Sequence, residues 1–153
     1  MRKYKQEITD KETIEAILRK ALVCRIGLSD GNLPYVVPVC FGYKDGCIYV
    51  HSSREGRKIE IIKRNSNVCF EVDVEAELVR AEIACKWSMK YKSVIGFGKA
   101  SIVDGQSEKM TALNIIMEHY SGISSHEYEP RPFELAAIIK IQIERMTCKR
   151  SKV

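Results

Sequence analysis

The stretch Leu22-Val23-Cys24-Arg25-Ile26-Gly27-Leu28, then Ser29-Asp30-Gly31-Asn32, then Tyr35-Val36-Val37-Pro38-Val39-Cys40-Phe41-Gly42-Tyr43, then Lys44-Asp45-Gly46 and Cys47-Ile48-Tyr49-Val50-His51, decides the fold class. Leu22, Cys24, Ile26 and Leu28 alternate with Val23, Arg25 and Gly27, the two-residue period of a strand. Ser29 to Asn32 is a turn by composition, because Gly and Asn tolerate positive φ. A second strand runs through Tyr35, Val37, Val39, Phe41 and Tyr43; Pro38 interrupts it and cannot donate to a ladder, which predicts an edge or a bulge. Lys44-Asp45-Gly46 then turns the chain into a third strand, Cys47 to His51. Three strands on loops this short form an antiparallel meander, since parallel pairs need long crossovers.

Upstream, Thr9-Asp10-Lys11-Glu12 fits a capping box with Thr9 as N-cap and Glu12 reaching back to it. Ile14, Ile17, Leu18 and Ala21 follow at helical spacing and predict a short amphipathic helix over residues 10–21. Downstream, a helix is expected over 55–65 with Ile59 and Ile62 on its buried side, and a strand over Asn67 to Val74. Residues 75–90, which hold the single tryptophan Trp87, are polar and give no assignment. A long strand over Tyr91 to Val103, a helix through Met110, Leu113, Ile116, Met117 and Tyr120 that stops at Gly122, a loop with Pro130 and Pro132, and a last strand from Phe133 to Ile143 complete the pattern. Six strands with short helices between them predict a mainly β or α+β fold, a six-stranded antiparallel barrel, rather than a doubly wound α/β sheet.

The chain has 153 residues, 45% hydrophobic and 29% charged, which suits one globular domain spanning residues 1–153. No apolar run approaches the roughly 18–20 residues of a membrane helix, and the basic start Met1-Arg2-Lys3-Tyr4-Lys5 lacks the apolar core of a secretory signal, so a cytoplasmic location is expected. The six cysteines form no C-x-x-C pair, which argues against zinc, and the expected location argues against disulfides; Cys24, Cys47 and Cys69 lie in apolar runs and read as small core residues. The net charge of +5 is mostly interspersed with acids, and Lys149-Arg150-Ser151-Lys152 is a basic cluster at the far end, read as a tail. Without a basic motif interleaved with aromatics, nucleic acid is not the expected partner.

Chemistry is concentrated in Ile48 to Ile59, which leads from a strand through Ser52 and Ser53 into a helix start. Acidic residues normally favour the first turn of a helix, yet Arg54, Arg57 and Lys58 crowd this one with only Glu55 against them. A bound anion would resolve that conflict, because N–H groups, hydroxyls and cations would converge on it, and Gly56 would let it approach the backbone. The alternative is that Arg57 and Lys58 are solvated surface charges.

The run Tyr49 to Lys58 resembles the strand-to-helix segment of pyridoxamine 5′-phosphate oxidase and its relatives, flavin mononucleotide (FMN) binding proteins of split-barrel fold. The chain resembles most the shorter nitroimidazole-resistance (Nim-type) branch, through Cys24-Arg25-Ile26-Gly27-Leu28, Tyr35-Val36-Val37-Pro38-Val39, His51 to Lys58, Val68-Cys69-Phe70-Glu71-Val72, and Trp87 with Ser93-Val94-Ile95-Gly96-Phe97-Gly98. The resemblance covers residues 8–145 in order. It implies a split barrel and a homodimer with FMN at the two-fold interface. Arg57 and Lys58 then match the phosphate-binding pair, and Ser52 the hydroxyl beside it. Pro38 and Val39 lie on the strand that runs along the isoalloxazine ring, Ser93 and Val94 match a strand that contacts flavin, often from the partner subunit, and a histidine at the position of His51 faces the flavin site. The chain lacks the extended C-terminal segment with substrate-phosphate arginines of the true oxidase, which argues against pyridoxamine phosphate oxidation.

Two functions are compatible with this reading. One is a flavin-dependent oxidoreductase that takes electrons from a donor such as NAD(P)H and passes them to a small, nitroaromatic acceptor, with His51 binding the acceptor or delivering a proton. The other is a non-enzymatic flavin-binding module or sensor, and a variant exchanges FMN for deazaflavin or haem. Among the remaining candidates, Trp87 reads as packing in preference to a flavin contact. Gly96 and Gly98 allow close approach of flavin or of a neighbouring strand, and Arg25 reaches an anion or solvent. His119 reads as surface or core rim, and His126 as a loop residue without a visible partner.

Overall fold

A computed structural model describes residues 6–151. The elements are β1 (Glu7–Ile8), α1 (Lys11–Lys20), β2 (Cys24–Asp30), β3 (Leu33–Val39), β4 (Gly42–Lys44), β5 (Cys47–Ser53), α2 (Arg57–Arg64), β6 (Asn67–Val79), β7 (Ser88–Val103), α3 (Gln106–Ser121), α4 (Pro130–Leu135) and β8 (Ala136–Ser151). The strands join one antiparallel sheet in the order β3-β2-β6-β7-β8-β5-β4, with β1 added on β8. This is the split-barrel α+β architecture expected from the sequence. It has eight strands where the alternation counted six: β1 is too short to show a period, and the second predicted strand breaks at Cys40-Phe41 into β3 and β4. Pro38 sits on β3, an edge strand, where its missing N–H costs no ladder bond.

Inward side chains fill the barrel, with Ile26, Phe70, Val72, Val94, Ile48, Val50, Ile139 and Ile141 all essentially without solvent exposure. Helix α1 adds Ile14, Ile17 and Leu18, and α2 adds Ile59, Ile61 and Ile62, so both helices close the same core. A second cluster lies outside the barrel, where Val103 and Ile138 meet Ala112, Leu113 and Ile116 of α3. Two glycines on β7 make room for close neighbours. The space where a Gly96 Cβ would stand is taken by the Phe70 ring, and that of Gly98 by the Gln142 carbonyl across the ladder. Their smallness therefore serves strand packing.

Several boundaries differ from the sequence reading, each for a local reason. The N-cap of α1 is Asp10, not Thr9: its carboxylate accepts from the Thr13 N–H at 2.8 Å and from the Thr13 hydroxyl. Helix α2 begins at Arg57, because Gly56 at φ 126° leaves helical space. Residues 75–90 extend β6 and β7 as a ribbon, through a bulge at Val74–Glu77 and a short 3-10 turn at Ala84–Lys86. Phe133 belongs to α4, which begins on Pro130, and the last strand starts at Ala136. The expected basic tail is strand through Ser151, Lys149 pairing with Glu7 and Ser93; Lys152 and the basic run 1–5 lie outside the described residues. Cys24, Cys47 and Cys148 are buried, as small apolar residues should be, while Cys69 is half-buried.

Candidate functional site

The start of α2 is a candidate anion seat, formed by backbone and side chains together. Gly56 is its N-cap and offers no side chain, so the first amides of the helix have no capping acceptor. Arg57 and Lys58 occupy the first turn against a single acid, Glu60. Just upstream, Ser52 is buried and its Oγ has no hydrogen-bond partner. An orphaned buried hydroxyl costs free energy, about 1–3 kcal/mol, unless something bonds to it. Uncapped amides, a free hydroxyl and two cations within seven residues suit a phosphate.

Local contacts fix this helix end against β3. The Arg57 guanidinium stacks on Tyr35, its carbon 4.7 Å from the ring centroid, and lies 3.9 Å from Asp30. Asp30 is held mainly by Arg64 at 2.9 Å, which leaves Arg57 half-exposed and free to turn toward a ligand. Lys58 is half-buried and makes no ion pair or side-chain hydrogen bond among the described residues. The Tyr35 contact brings the helix end to the strand that carries Pro38 and Val39. Pro38 faces outward and is exposed, whereas Val39 packs partly on the core.

The other predicted residues sit elsewhere on the barrel. His51 is exposed on the outer face of β5, opposite Ile138, and no side-chain hydrogen bond holds it among the described residues. Ser93 is on β7, with β2 and β6 between it and β3. Three strand spacings amount to roughly 14 Å, so Ser93 and Pro38 of one chain do not meet at one ring. The side chain of Val94 points into the barrel with no exposure and packs in the core.

The outer face of the sheet is a broad platform. Cross-strand registers align Val36, Gly27, Cys69, Phe97 and Arg145 in one row, and Pro38, Arg25, Glu71, Ile95 and Thr147 in the next. Val36, Ile95 and Phe97 are exposed there, and Arg145 stacks on Phe97 at 4.1 Å. Arg25 is neither free for an anion nor merely solvated: it bonds to Asp73 at 2.8 Å and to Glu71 at 3.1 Å, and the Asp73 charge raises its pKa further. Glu75 accepts from Lys92 and Lys20, which holds its carboxyl down to about 2.

Three residues that the sequence left vague have defined places. Trp87 is half-exposed, not packed inside, and its indole N–H donates to the Ala81 carbonyl at 2.6 Å. His119 donates from Nε2 to the Ala21 carbonyl at 2.6 Å and stacks on Phe41, a structural clasp at the core rim. Tyr120 completes that clasp by donating to the Leu22 carbonyl and accepting from the Phe41 N–H, and burial pushes its phenol up to about 12. His126 has a partner after all, the Ser121 hydroxyl at 3.1 Å. No cluster of metal-ligating side chains exists among the described residues, and none of their helices is long and apolar enough to cross a membrane.

Solved structures share this fold. A candidate 5-nitroimidazole antibiotic resistance protein of Bacteroides thetaiotaomicron is 36% identical, with a TM-score of 0.83 over 94% of this chain and 86% of that one. A flavocytochrome of Azotobacter vinelandii is 22% identical, with a TM-score of 0.83 over 100% of this chain and 72% of that one. An FAD-binding protein of Mesorhizobium loti is 20% identical, with a TM-score of 0.67 over 94% and 96% of the two chains. The last two show likeness of fold alone. Among curated proteins none matches the chain. Residues 10–150 match the family described as pyridoxamine 5′-phosphate oxidase, and the chain belongs to that family.

Proposed function

We propose that this protein is an FMN-binding homodimer that works as an oxidoreductase on a small acceptor. The observation that carries the reading is the uncapped start of α2, where Arg57, Lys58 and the orphaned Ser52 hydroxyl fit a terminal phosphate. The flavin and FAD proteins among the structural relatives support the cofactor class, and the 36% identical resistance protein supports a nitroaromatic acceptor. Bound FMN would supply reversible electron transfer, with NAD(P)H as the proposed donor. Arg57, Lys58 and Ser52 hold the phosphate; Pro38 and the outer face of β3 back the ring. The six free cysteines suit a reducing compartment, so a cytoplasmic location is part of the proposal.

The visible spectrum of the purified protein tests the cofactor, because FMN, deazaflavin and haem absorb at different wavelengths. Steady-state oxidation of NADPH with a nitro acceptor tests the activity. A protein that keeps its flavin yet oxidises no nicotinamide would be a binding module rather than a reductase.

In the dimer, Ser93 reaches the flavin of the other subunit, which accounts for its separation from Pro38 within one chain. The exposed apolar side chains of the outer platform, Val36, Ile95 and Phe97, offer a self-complementary face, and stable isologous interfaces bury upwards of about 1,200 Å². Sedimentation is expected to give twice the 17.5 kDa chain mass at micromolar concentration; a stable monomer refutes this part of the proposal.

His51 is the exposed imidazole nearest in sequence to the phosphate seat, and no intramolecular bond ties it down among the described residues. It binds the acceptor or hands it a proton from the ring. His51→Ala should retain FMN and the dimer but lose roughly 100-fold or more in acceptor turnover, the usual scale of a missing general acid. Turnover at the parental rate with every acceptor would remove His51 from the chemistry. Loss of flavin from the variant would move it to cofactor binding.

A further inference from the structure

We propose that the cleft between α2, the start of α3 and the start of β8 is a second anion site, which takes a small organic phosphate independently of the flavin. The cleft has a volume of about 590 Å³ and is lined by Arg54, Lys63 and Lys109 with one carboxylate, Asp104. Arg54 and Lys63 are exposed at its rim, whereas Lys109 is a buried lysine with 3% of its surface accessible.

Lys109 is the informative residue. An ammonium has three N–H donors, and here only one long bond is made, to the Glu134 carbonyl at 3.4 Å. The ring of Phe133 lies 4.7 Å from Nζ, and no carboxylate stands within ion-pair distance of it among the described residues. Lys109 also sits in the first turns of α3, whose N-cap Gly105 provides no side chain, so the helix dipole opposes its charge. Burial and then the Arg54 charge lower its pKa, and the Glu134 carboxylate, beyond ion-pair distance, offsets them only in part. A buried, under-bonded cation that faces other cations is costly unless an anion joins it.

The composition of the cleft selects the class of that anion. Three cations and one acid leave a net charge of two, which matches a phosphate monoester, about −1.5 to −2 near neutral pH. Ile59, Ile102, Val103 and Ala136 give the cleft an apolar wall for the organic part of the ligand. The volume lies in the range of small-molecule sites, about 300–1,000 Å³. The site is separate from the proposed flavin phosphate seat, whose cations Arg57 and Lys58 do not line the cleft.

Calorimetric titration of the whole protein with phenyl phosphate, inorganic phosphate and succinate tests the proposal, each with and without saturating FMN. Phenyl phosphate should bind tightest, with FMN leaving its affinity unchanged. Arg54→Ala and Lys109→Met should each weaken it by roughly tenfold or more, the scale of one lost charge-assisted bond, and Lys63→Ala by less. FMN affinity should not move in any of the three. Lys109→Met should also raise the thermal midpoint of the unliganded protein, since it removes an uncompensated buried charge. Arg54 and Lys63 are exposed, so their variants keep the test open should Lys109→Met misfold. Three results would each overturn the proposal: no phenyl phosphate binding at millimolar concentration; succinate or inorganic phosphate binding as tightly as the ester; or FMN competing with the ester and weakened by Arg54→Ala, which would make the cleft the flavin phosphate seat itself.

Discussion

Replacing Arg57 and Lys58 together by alanine is expected to strip FMN from the protein while the barrel stays folded. Each side chain would donate a charge-assisted bond to the phosphate, worth about 1.5–3 kcal/mol, so each single variant should bind FMN roughly tenfold to a hundredfold more weakly. The double variant should then retain almost none through purification. Folding should be spared, because Arg57 is half-exposed, its ion pair to Asp30 is long, and Arg64 keeps Asp30 in place. The loss should also depend on the ligand: riboflavin, which lacks the phosphate, should bind the parent and the double variant alike. Ser52→Ala should show the same ligand dependence more weakly. Fluorescence titration with both flavins reads all of this, and unchanged FMN affinity in both single variants would place the phosphate elsewhere.

The largest effect on stability is expected at Gly98. An added Cβ there falls on the Gln142 carbonyl, part of the β7–β8 ladder, and also meets Ile141 at 3.2 Å. A backbone oxygen cannot swing aside, so Gly98→Ala must open the ladder where its register already shifts, between Phe97 and Gly98. The cost should be about 3 kcal/mol or more, although Gly→Ala in an unobstructed strand is normally favourable. Gly96→Ala is the informative contrast. Its Cβ meets the ring of Phe70, a side chain, and Phe70 is the cross-strand partner of Gly96. That substitution should cost about 1–3 kcal/mol, and Phe70→Leu, itself costly, should recover part of it in the double variant. Urea denaturation of the four proteins of that cycle, with Gly98→Ala, Ile141→Ala and Gly98→Ala/Ile141→Ala beside them, checks the difference, since alanine removes the Ile141 Cγ2 that the new Cβ meets. Rescue of Gly98→Ala by trimming Ile141 would show that the carbonyl is not the obstacle.

How far the sequence can be read depends on where a solvent boundary falls. Strands β2 and β5, together with the first half of β6, are wet on one face and dry on the other, so Cys24, Ile26 and Leu28 or Val68, Phe70, Val72 and Val74 announce them. Residues 75–90 continue the ribbon beyond the core, with both faces largely exposed, and so leave no period to find. Glu144 to Ser151 carry only a weak period, being half-wet strand, and their end, Lys149 to Ser151, passes for a basic tail. The cap of α1 was misread as Thr9 because the capping-box spacing favours it, although Asp10 is as good an N-cap and only the Thr13 contact distinguishes them. At the site, the conflict between cations and helix start was visible around Gly56, yet the orphaned Ser52 hydroxyl and the Tyr35 stack are tertiary facts. Arg25 could not be resolved from one strand, since its carboxylate partners Glu71 and Asp73 arrive from β6. The cationic cleft was not legible as a site: Arg54 and Lys63 belong to the loop and helix of α2, but Asp104 and Lys109 come from the start of α3, and only the fold joins the two.

Strand β8 gives the molecule a particular order of assembly. It lies between β7 and β5, so without it β3-β2-β6-β7 and β5-β4 are two unconnected pieces of sheet. Val50 finds its partner only at Ile139, and β2 must wait for β6. Loop closures of that length have to precede their reward, which makes folding slow by the standards of a chain this size. Until β8 docks, the edges of β5 and β7 stand open with their N–H and C=O groups unpaired, a template for another chain. A chain emerging from the ribosome therefore holds two adhesive half-sheets from the completion of β7 at Val103 until β8 follows, and its dependence on chaperones should be concentrated in that interval.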